Sequence, residues 1–545
     1  TPGCLEKSVR RAVISAVIVA VFALVGAVPA IAASGVEHLK FAAGPYLVRP
    51  GANLILTDLG EIPKPMVNGF MTRVEPNLHY AKANGKCCAG IPRVDVIHLH
   101  HGVWLTDGAA GQGEGNGQAG LYPFMASGEE KTITQFPRGF GYPVGAADHW
   151  VLNYMIHNLR EKPAKVYITY DMDFIPDSSP AARGITPVHP IWMDVEAHQL
   201  YPVFNVYRHS GKNGKFTFPD MAKNPYNGGP PLNVFTVDHP GTLIATAGHL
   251  HPGGLYDDLD LIRPGATRAT KTIRGTVPDS VRLFRSLAHY FDKRGPISWD
   301  MAMTATPSNW RPRVDPGDVM RVSTTYDTRR ASWYESMGIM VVWEAWDDQT
   351  GLDPFTGVRD ARAHVTSIDP FAHAINENGR PTHGHLAENN HHGGTQWLTV
   401  DPNTLRSCQR QTVQIAGFVY RPGDLETPTS QKRCAPTVTE GQSLTFQNLD
   451  ASPLNPGVPG IAPSQAYINS IWHTVTACQD PCGLDTGISY PLANGAGGFD
   501  SAQLGVGTPA SGSLSWSTPK NLKPGTYTFY CRIHPFMRGV FRIIR

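Results

Sequence analysis

Apolar residues along this chain recur at every second position far more often than at helical spacing. Val94-Asp95-Val96-Ile97-His98-Leu99, Val151-Leu152-Asn153-Tyr154-Met155-Ile156, Lys165-Val166-Tyr167-Ile168-Thr169-Tyr170 and Met340-Val341-Val342-Trp343-Glu344 are short runs of the kind that pleated strands present to a core. Pro, Gly, Asp and Asn clusters separate them at the intervals of β-sandwiches. Helix-period segments are scarce, and Ser280–Phe291 is the best candidate. The pattern predicts an all-β chain. A Gly-rich stretch from Gly108 to Gly120 reads as a long surface loop, and a His- and Asn-rich stretch from Asn376 to Gly394 as an inter-domain connection. Alternating strand sequence restarts at Thr412–Arg421. Boundaries are therefore expected near 206, 350 and 408, dividing the chain into 34–205, 206–350, a linker over 351–408, and 409–545.

Composition supports this division. A chain of 545 residues accommodates three ordinary domains, and 41% apolar against 17% charged residues allows a sizeable core. Gly 55 and Pro 46 favour turn-rich β architecture. The net charge of +2 comes with no basic stripe, which argues against nucleic acid as a partner. One long apolar stretch exists, Ala12 to Val28, preceded by Lys7, Arg10 and Arg11 and followed by Ala30-Ile31-Ala32. That arrangement reads as an export signal over residues 1–33, with an uncleaved membrane anchor as the alternative. Either way the functional part is expected outside the cytoplasm, secreted, periplasmic or at the cell surface.

Of eight cysteines, Cys4 lies in the leader. The remaining seven leave one thiol without a partner in an oxidising compartment. Cys478 with Cys482 fits a local clip, Cys408 with Cys434 looks structural, and pairing of adjacent Cys87 and Cys88 would be strained. The connectivity stays open, and Cys531 is expected to be the odd thiol because a metal occupies it.

The most specific signal is Tyr530-Cys531-Arg532-Ile533-His534-Pro535-Phe536-Met537-Arg538-Gly539. It places a thiolate, an imidazole and a thioether within seven residues, and Trp472-His473-Thr474 supplies a second imidazole. Soft sulfur donors stabilise Cu(I) while imidazoles keep Cu(II) accessible, so this set suits one-electron transfer. The loop resembles the ligand loop of amicyanin, and residues 409–545 are similar to the cupredoxins. The resemblance implies a Greek-key β-sandwich and a type 1 (blue) copper held by His473, Cys531, His534 and Met537.

Further imidazoles stand upstream, in His98-Leu99-His100-His101, at His157, and in His249-Leu250-His251. Residues two apart on a strand share a face, so His249 and His251 can converge on one ion, though spacing alone does not name the metal. The order of these groups, with Pro316-Gly317-Asp318 and then Met337, resembles the copper- and ascorbate-dependent monooxygenases that hydroxylate peptidylglycine and dopamine. That resemblance covers residues 40–346 and implies two jelly-roll domains. It implies one copper on His100, His101 and His157 that relays electrons. It also implies a second copper, on His249, His251 and Met337, that binds dioxygen for C–H hydroxylation. His98 competes with His101, Met155 with His157, and Met340 with Met337. An arginine that holds a peptide carboxylate in the amidating members is Ala247 here, so a peptide with a free carboxylate is not supported as substrate. His383, His385, His391 and His392, with Glu388 among them, belong to neither pattern. They are expected to bind an additional metal, line a cleft or form a hydrogen-bonded loop.

The leading expectation is an exported copper monooxygenase with a fused blue-copper domain that takes electrons from an external donor. Its substrate and reductant are not named by the sequence. The alternative is an exported copper-binding or electron-transfer protein without turnover. A multicopper oxidase ranks third, because Tyr530-Cys531-Arg532 stands where those enzymes have His-Cys-His. Copper nitrite reductases need two cupredoxin domains, and only one is legible.

Overall fold

The computed structural model describes residues 35–545 except 50–54, 93, 95–96, 109–119, 159–162, 197–203, 220–232, 274, 291–295, 297–298, 300, 330–331, 357–399, 426–432, 452–471, 478–497, 506–512 and 535–536. The expected leader, the cluster of His383, His385, Glu388, His391 and His392, and the Cys478–Cys482 clip lie outside the described residues. Among the described residues the chain is all-β, and its one helical element is the short 3-10 segment Pro180–Gly184.

The helix expected over Ser280–Phe291 is instead a strand, Ser280–Tyr290, antiparallel to Gly254–Ile262. Its first five residues are all buried, and a strand covered on both faces loses the two-residue period that would reveal it. Arg282 and Arg285, spaced as on one helix face, pair instead with Asp260 and Asp258 of the neighbouring strand at 2.9 and 2.6 Å. Cross-strand partners replace the helical ones.

Two sandwiches come first. In the amino-terminal one, Glu37–Val48, Ala164–Pro176, Gly69–Tyr80, Phe140–Val144 and Thr186–Pro187 form one sheet, with Thr134–Gln135 on its side. The other sheet is Ile55–Asp58, Trp150–Asn158, Ile97–Thr106 and Tyr122–Gly128. Met71, Val74, Trp104, Phe124, Tyr142 and Tyr170 fill the space between. In the second sandwich the sheet His189–Asp194, Ile339–Trp346, Gly241–His249 and Arg313–Val314 packs on one built around Gly254–Ile262, Ser280–Tyr290 and Val319–Asp327. The strand His189–Asp194 thus hydrogen-bonds in the second sandwich, ahead of the boundary expected near 206.

The third unit has one sheet of Ser407–Gln409, Ala435–Thr439, Arg538–Ile544, Gly525–Tyr530 and Thr476–Ala477, and another of Tyr420–Arg421, Thr412–Ile415, Thr445–Asn448 and Ser515–Ser517. Parallel pairs occur in both sheets, which requires crossovers rather than simple hairpins. Tyr420, Phe446, Phe529 and Phe541 pack edge to face in its core, each burial contributing about 2–3 kcal/mol. A disulfide joins Cys408 to Cys434, and Cys87 and Cys88 are bonded to each other, the pairing that the sequence disfavours. Cys531 is a buried free thiol.

Candidate metal centres

At the carboxy-terminal centre the strand Gly525–Tyr530 ends and the chain turns through Cys531, His534 and Met537 before re-entering the sheet at Arg538. The turn is closed by Met537 N–H donating to the His534 carbonyl at 2.8 Å and Cys531 N–H donating to the Met537 carbonyl at 3.0 Å. Cys531 Sγ lies 3.6 Å from His534 Nδ1 and 3.9 Å from His473 Nδ1, and the two Nδ1 atoms are 3.1 Å apart. All four residues, Met537 included, are fully or almost fully buried. His473 Nε2 sits 3.0 Å from Asp450 Oδ2, which leaves its Nδ1 facing the sulfur. Thr474 N–H donates to Cys531 Sγ at 3.3 Å.

Burial opposes a Cys531 thiolate, but His534 and His473 together outweigh it and hold the thiol well below its usual range. For His473 burial likewise acts against the charged form, and Asp450 and Cys531 reverse it and raise the imidazole. Two nitrogens and one sulfur within 4 Å of each other, with a buried thioether in the same turn, form a donor set that fits a blue copper.

The second centre is assembled from both sandwiches. On the strand Ile97–Thr106 the register against Trp150–Asn158 shifts between Leu99 and His101. A bulge of this kind re-aims a side chain, so His100 and His101, which would otherwise point to opposite faces, bring their Nδ1 atoms to 3.5 Å. His157 pairs across from His98, and its ring is 4.4 Å from His100. The strand Gly241–His249 ends at His249, and His251 lies just beyond, its ring 4.8 Å from that of His249.

The two sets meet. The His100 ring lies 3.8 Å from His251, and Trp299 covers His98 at 4.4 Å. The five imidazoles that the resemblance assigns to two coppers therefore lie in one buried cluster between the domains, and His98 is the sixth ring in it.

The orientation of these rings is imposed by groups the sequence did not single out. After the strand Tyr122–Gly128, Glu130 Oε2 lies 3.0 Å from His249 Nδ1 and Glu129 Oε1 lies 2.9 Å from His251 Nδ1. Each carboxylate takes one ring nitrogen and leaves Nε2 pointing inward, the arrangement found behind metal-bound histidines. Nε2 of His98, His101, His249 and His251 is buried with no hydrogen-bond partner. At about 1–3 kcal/mol each, four such nitrogens cost on the order of 4–12 kcal/mol, comparable to the whole stability of a domain. A bound ion offsets that cost, so the residues fit a metal.

Burial pushes His98, His100 and His251 well below the usual imidazole range and His101 and His157 to about 3, with neighbouring histidines adding to it. The rings are neutral and their lone pairs available. Burial, and then Glu130, raises the Glu129 carboxyl well above its usual range.

Met337 is brought to this centre through its backbone. The Tyr326 hydroxyl accepts from the N–H groups of His251 and Met337, both at 3.1 Å, and donates to the Met337 carbonyl at 2.7 Å. The Met337 side chain is buried in a seam with Met155 and Ile339 that continues into the core around Cys531 and Met537. Met340, its competitor, packs in the second sandwich's own core. The same seam joins the two centres: His534 is close enough to depress His157 electrostatically. Arg532, next to Cys531, lies over Trp333 at 4.2 Å, bonds the Ser332 carbonyl and stands 3.6 Å from Asp500.

A cleft of about 620 Å³, its solvent-open part included, runs between the sandwiches and ends on His249. Neither Glu129, Glu130, Trp299 nor Asp450 carries a sequence signal, because each acts on a histidine at least 23 positions away or in another domain.

No protein-family model matches this chain, and no curated protein does. Among solved structures, the Cu-containing nitrite reductase from Thermus scotoductus SA-01 is similar at 14% identity, with a TM-score of 0.15. The match covers 56% of this chain and 58% of that one.

Proposed function

We propose that this chain is an extracytoplasmic copper-dependent oxidoreductase that hydroxylates a C–H bond with dioxygen, supplied with electrons through its own blue-copper unit. The observation that carries the reading is the inter-domain cleft ending on His249; a carrier protein has no need of such an approach to its metal ligands. Copper held by His473, Cys531, His534 and Met537 would exchange single electrons, and copper on the inner histidines, with the Met337 thioether as the sulfur donor of this reading, would supply redox chemistry toward dioxygen.

The protein's own residues do the rest. Glu129 and Glu130 hold the tautomers of His251 and His249. Trp299 and the surrounding burial keep water from the cluster. Arg532 clamps the blue-copper loop to the second sandwich, and fusion in one chain raises the effective concentration of donor at acceptor. The partners are an external electron donor and a small-molecule substrate.

The contact of His100 with His251 favours a second reading, a multinuclear copper oxidase that reduces dioxygen without a C–H substrate. Oxygen uptake under a reductant separates them. Hydroxylation requires uptake that depends on an added substrate and matches product one to one, whereas substrate-independent uptake to water supports the oxidase. Met337→Ile is expected to abolish oxygen chemistry and keep the blue absorption, and Cys531→Ser to remove the colour. A Met337→Ile protein that loses its colour and keeps turnover would defeat the assignment.

A further inference from the structure

We propose that the inter-domain cleft is a binding site for a small, neutral, largely aliphatic molecule; this rests on the copper-enzyme reading and names its substrate class. Met125 and Ile133 of the first sandwich face Ile244, Ile339, Val341 and Trp343 of the second across it. Small residues, Ala126, Ala245, Ala247 and Ala305 among them, make up much of the wall. Among the described residues no aspartate, glutamate, lysine or arginine lines the cleft, and His249 is the one ionisable group there.

The deep polar groups are already used. Thr246 Oγ1 donates to the Val341 carbonyl at 2.9 Å, Thr306 Oγ1 accepts from Thr246 N–H at 2.9 Å, and Thr132 Oγ1 donates to Glu130 Oε1 at 2.7 Å. Gln135 and Ser308 are exposed, so their amide and hydroxyl belong to the mouth. An occupant therefore meets mainly apolar surface, one imidazole and the half-buried Thr134 hydroxyl. A charged group carried inside would find no partner and would have to shed its hydration, whereas an alkyl chain gains from burial in proportion to its area. Recognition is by shape and hydrophobicity, and the part of the ligand brought to His249 is hydrocarbon.

The test is calorimetric titration of the full-length protein, without reductant, with 1-hexanol, hexanoate and hexylammonium. The neutral probe is expected to bind, and both ions to bind at least about tenfold more weakly. Ala245→Phe, which fills the cleft from the half-buried strand position of Ala245, should abolish 1-hexanol binding. Ala245→Lys should turn the preference toward hexanoate. Equal binding of the three probes by the unaltered protein, no binding by any of them, or 1-hexanol binding unchanged in Ala245→Phe would overturn the proposal. Binding without turnover of any neutral probe would instead count against the copper-enzyme reading alone, because the titration needs neither dioxygen nor electrons.

Discussion

Replacing Gly128 with alanine adds one methyl group at the most crowded point of the central cluster. An ideal Cβ there lies 2.4 Å from His249 Cε1, 2.7 Å from the His100 carbonyl oxygen and 2.8 Å from Glu130 Oε2. Ordinary carbon contacts are near 3.5 Å, so the His249 ring must move by about 1 Å. It cannot do so freely. Its Nδ1 is held by Glu130, and that carboxylate is held in turn by Gly128 N–H at 3.0 Å and Thr132 Oγ1 at 2.7 Å. The His100 oxygen is backbone, adjoining the bulge that aims two histidines. The strain is expected to cost about 1–3 kcal/mol of stability, and loss of the Glu130 support should weaken metal binding at the cluster about 10- to 100-fold. Glu130→Gln should lower affinity in the same range without the steric cost. The assay is copper stoichiometry after dialysis, with electron paramagnetic resonance of the non-blue copper and the blue absorption as internal control. Gly90→Ala, where nothing lies within 4 Å of the new Cβ, is the comparison protein. If Gly128→Ala retains non-blue copper as tightly as Gly90→Ala, His249 does not ligate from the position described.

Two other perturbations probe the frame around the centres. Arg532→Ala leaves Asp500 and the Trp333 ring without their cation, at a cost of about 3 kcal/mol. The blue absorption should survive while electron transfer out of that site, followed by stopped-flow or pulse radiolysis, slows; an unchanged rate would remove Arg532 from the docking argument. Glu196 is raised to about 7 by burial, so its protonated form is favoured in the folded state. Its contribution is fully present below an unfolded carboxyl value of about 4.5 and is lost as pH rises through about 7, roughly 3 kcal/mol in all. Denaturant unfolding of Glu196→Gln should show a flatter pH dependence across that window, and an identical slope would refute the assignment.

What sequence alone determined here is local. The candidate metal ligands Cys531, His534 and Met537 stand within seven positions on one turn, so their spacing already describes a ligand loop, and the two-residue alternation already describes strands. Its failures share one cause. Ser280–Tyr290 is buried too completely along its first half to show alternation. His98, His100 and His101 were legible as candidates, but strict alternation could not place all three in one cluster, because the bulge that does so arises from pairing with Trp150–Asn158. The shared face of His249 and His251 was legible, and their contact with His100 was not. Glu129, Glu130 and Trp299 carry no pattern of their own. Tertiary structure decided that the two histidine sets touch, that carboxylates stand behind two of the rings, that Arg532 meets Trp333, and that an apolar cleft ends on His249. Side chains from separate sheets acquire a common neighbourhood only when the sheets pack, and packing distances are not encoded in spacing along the chain.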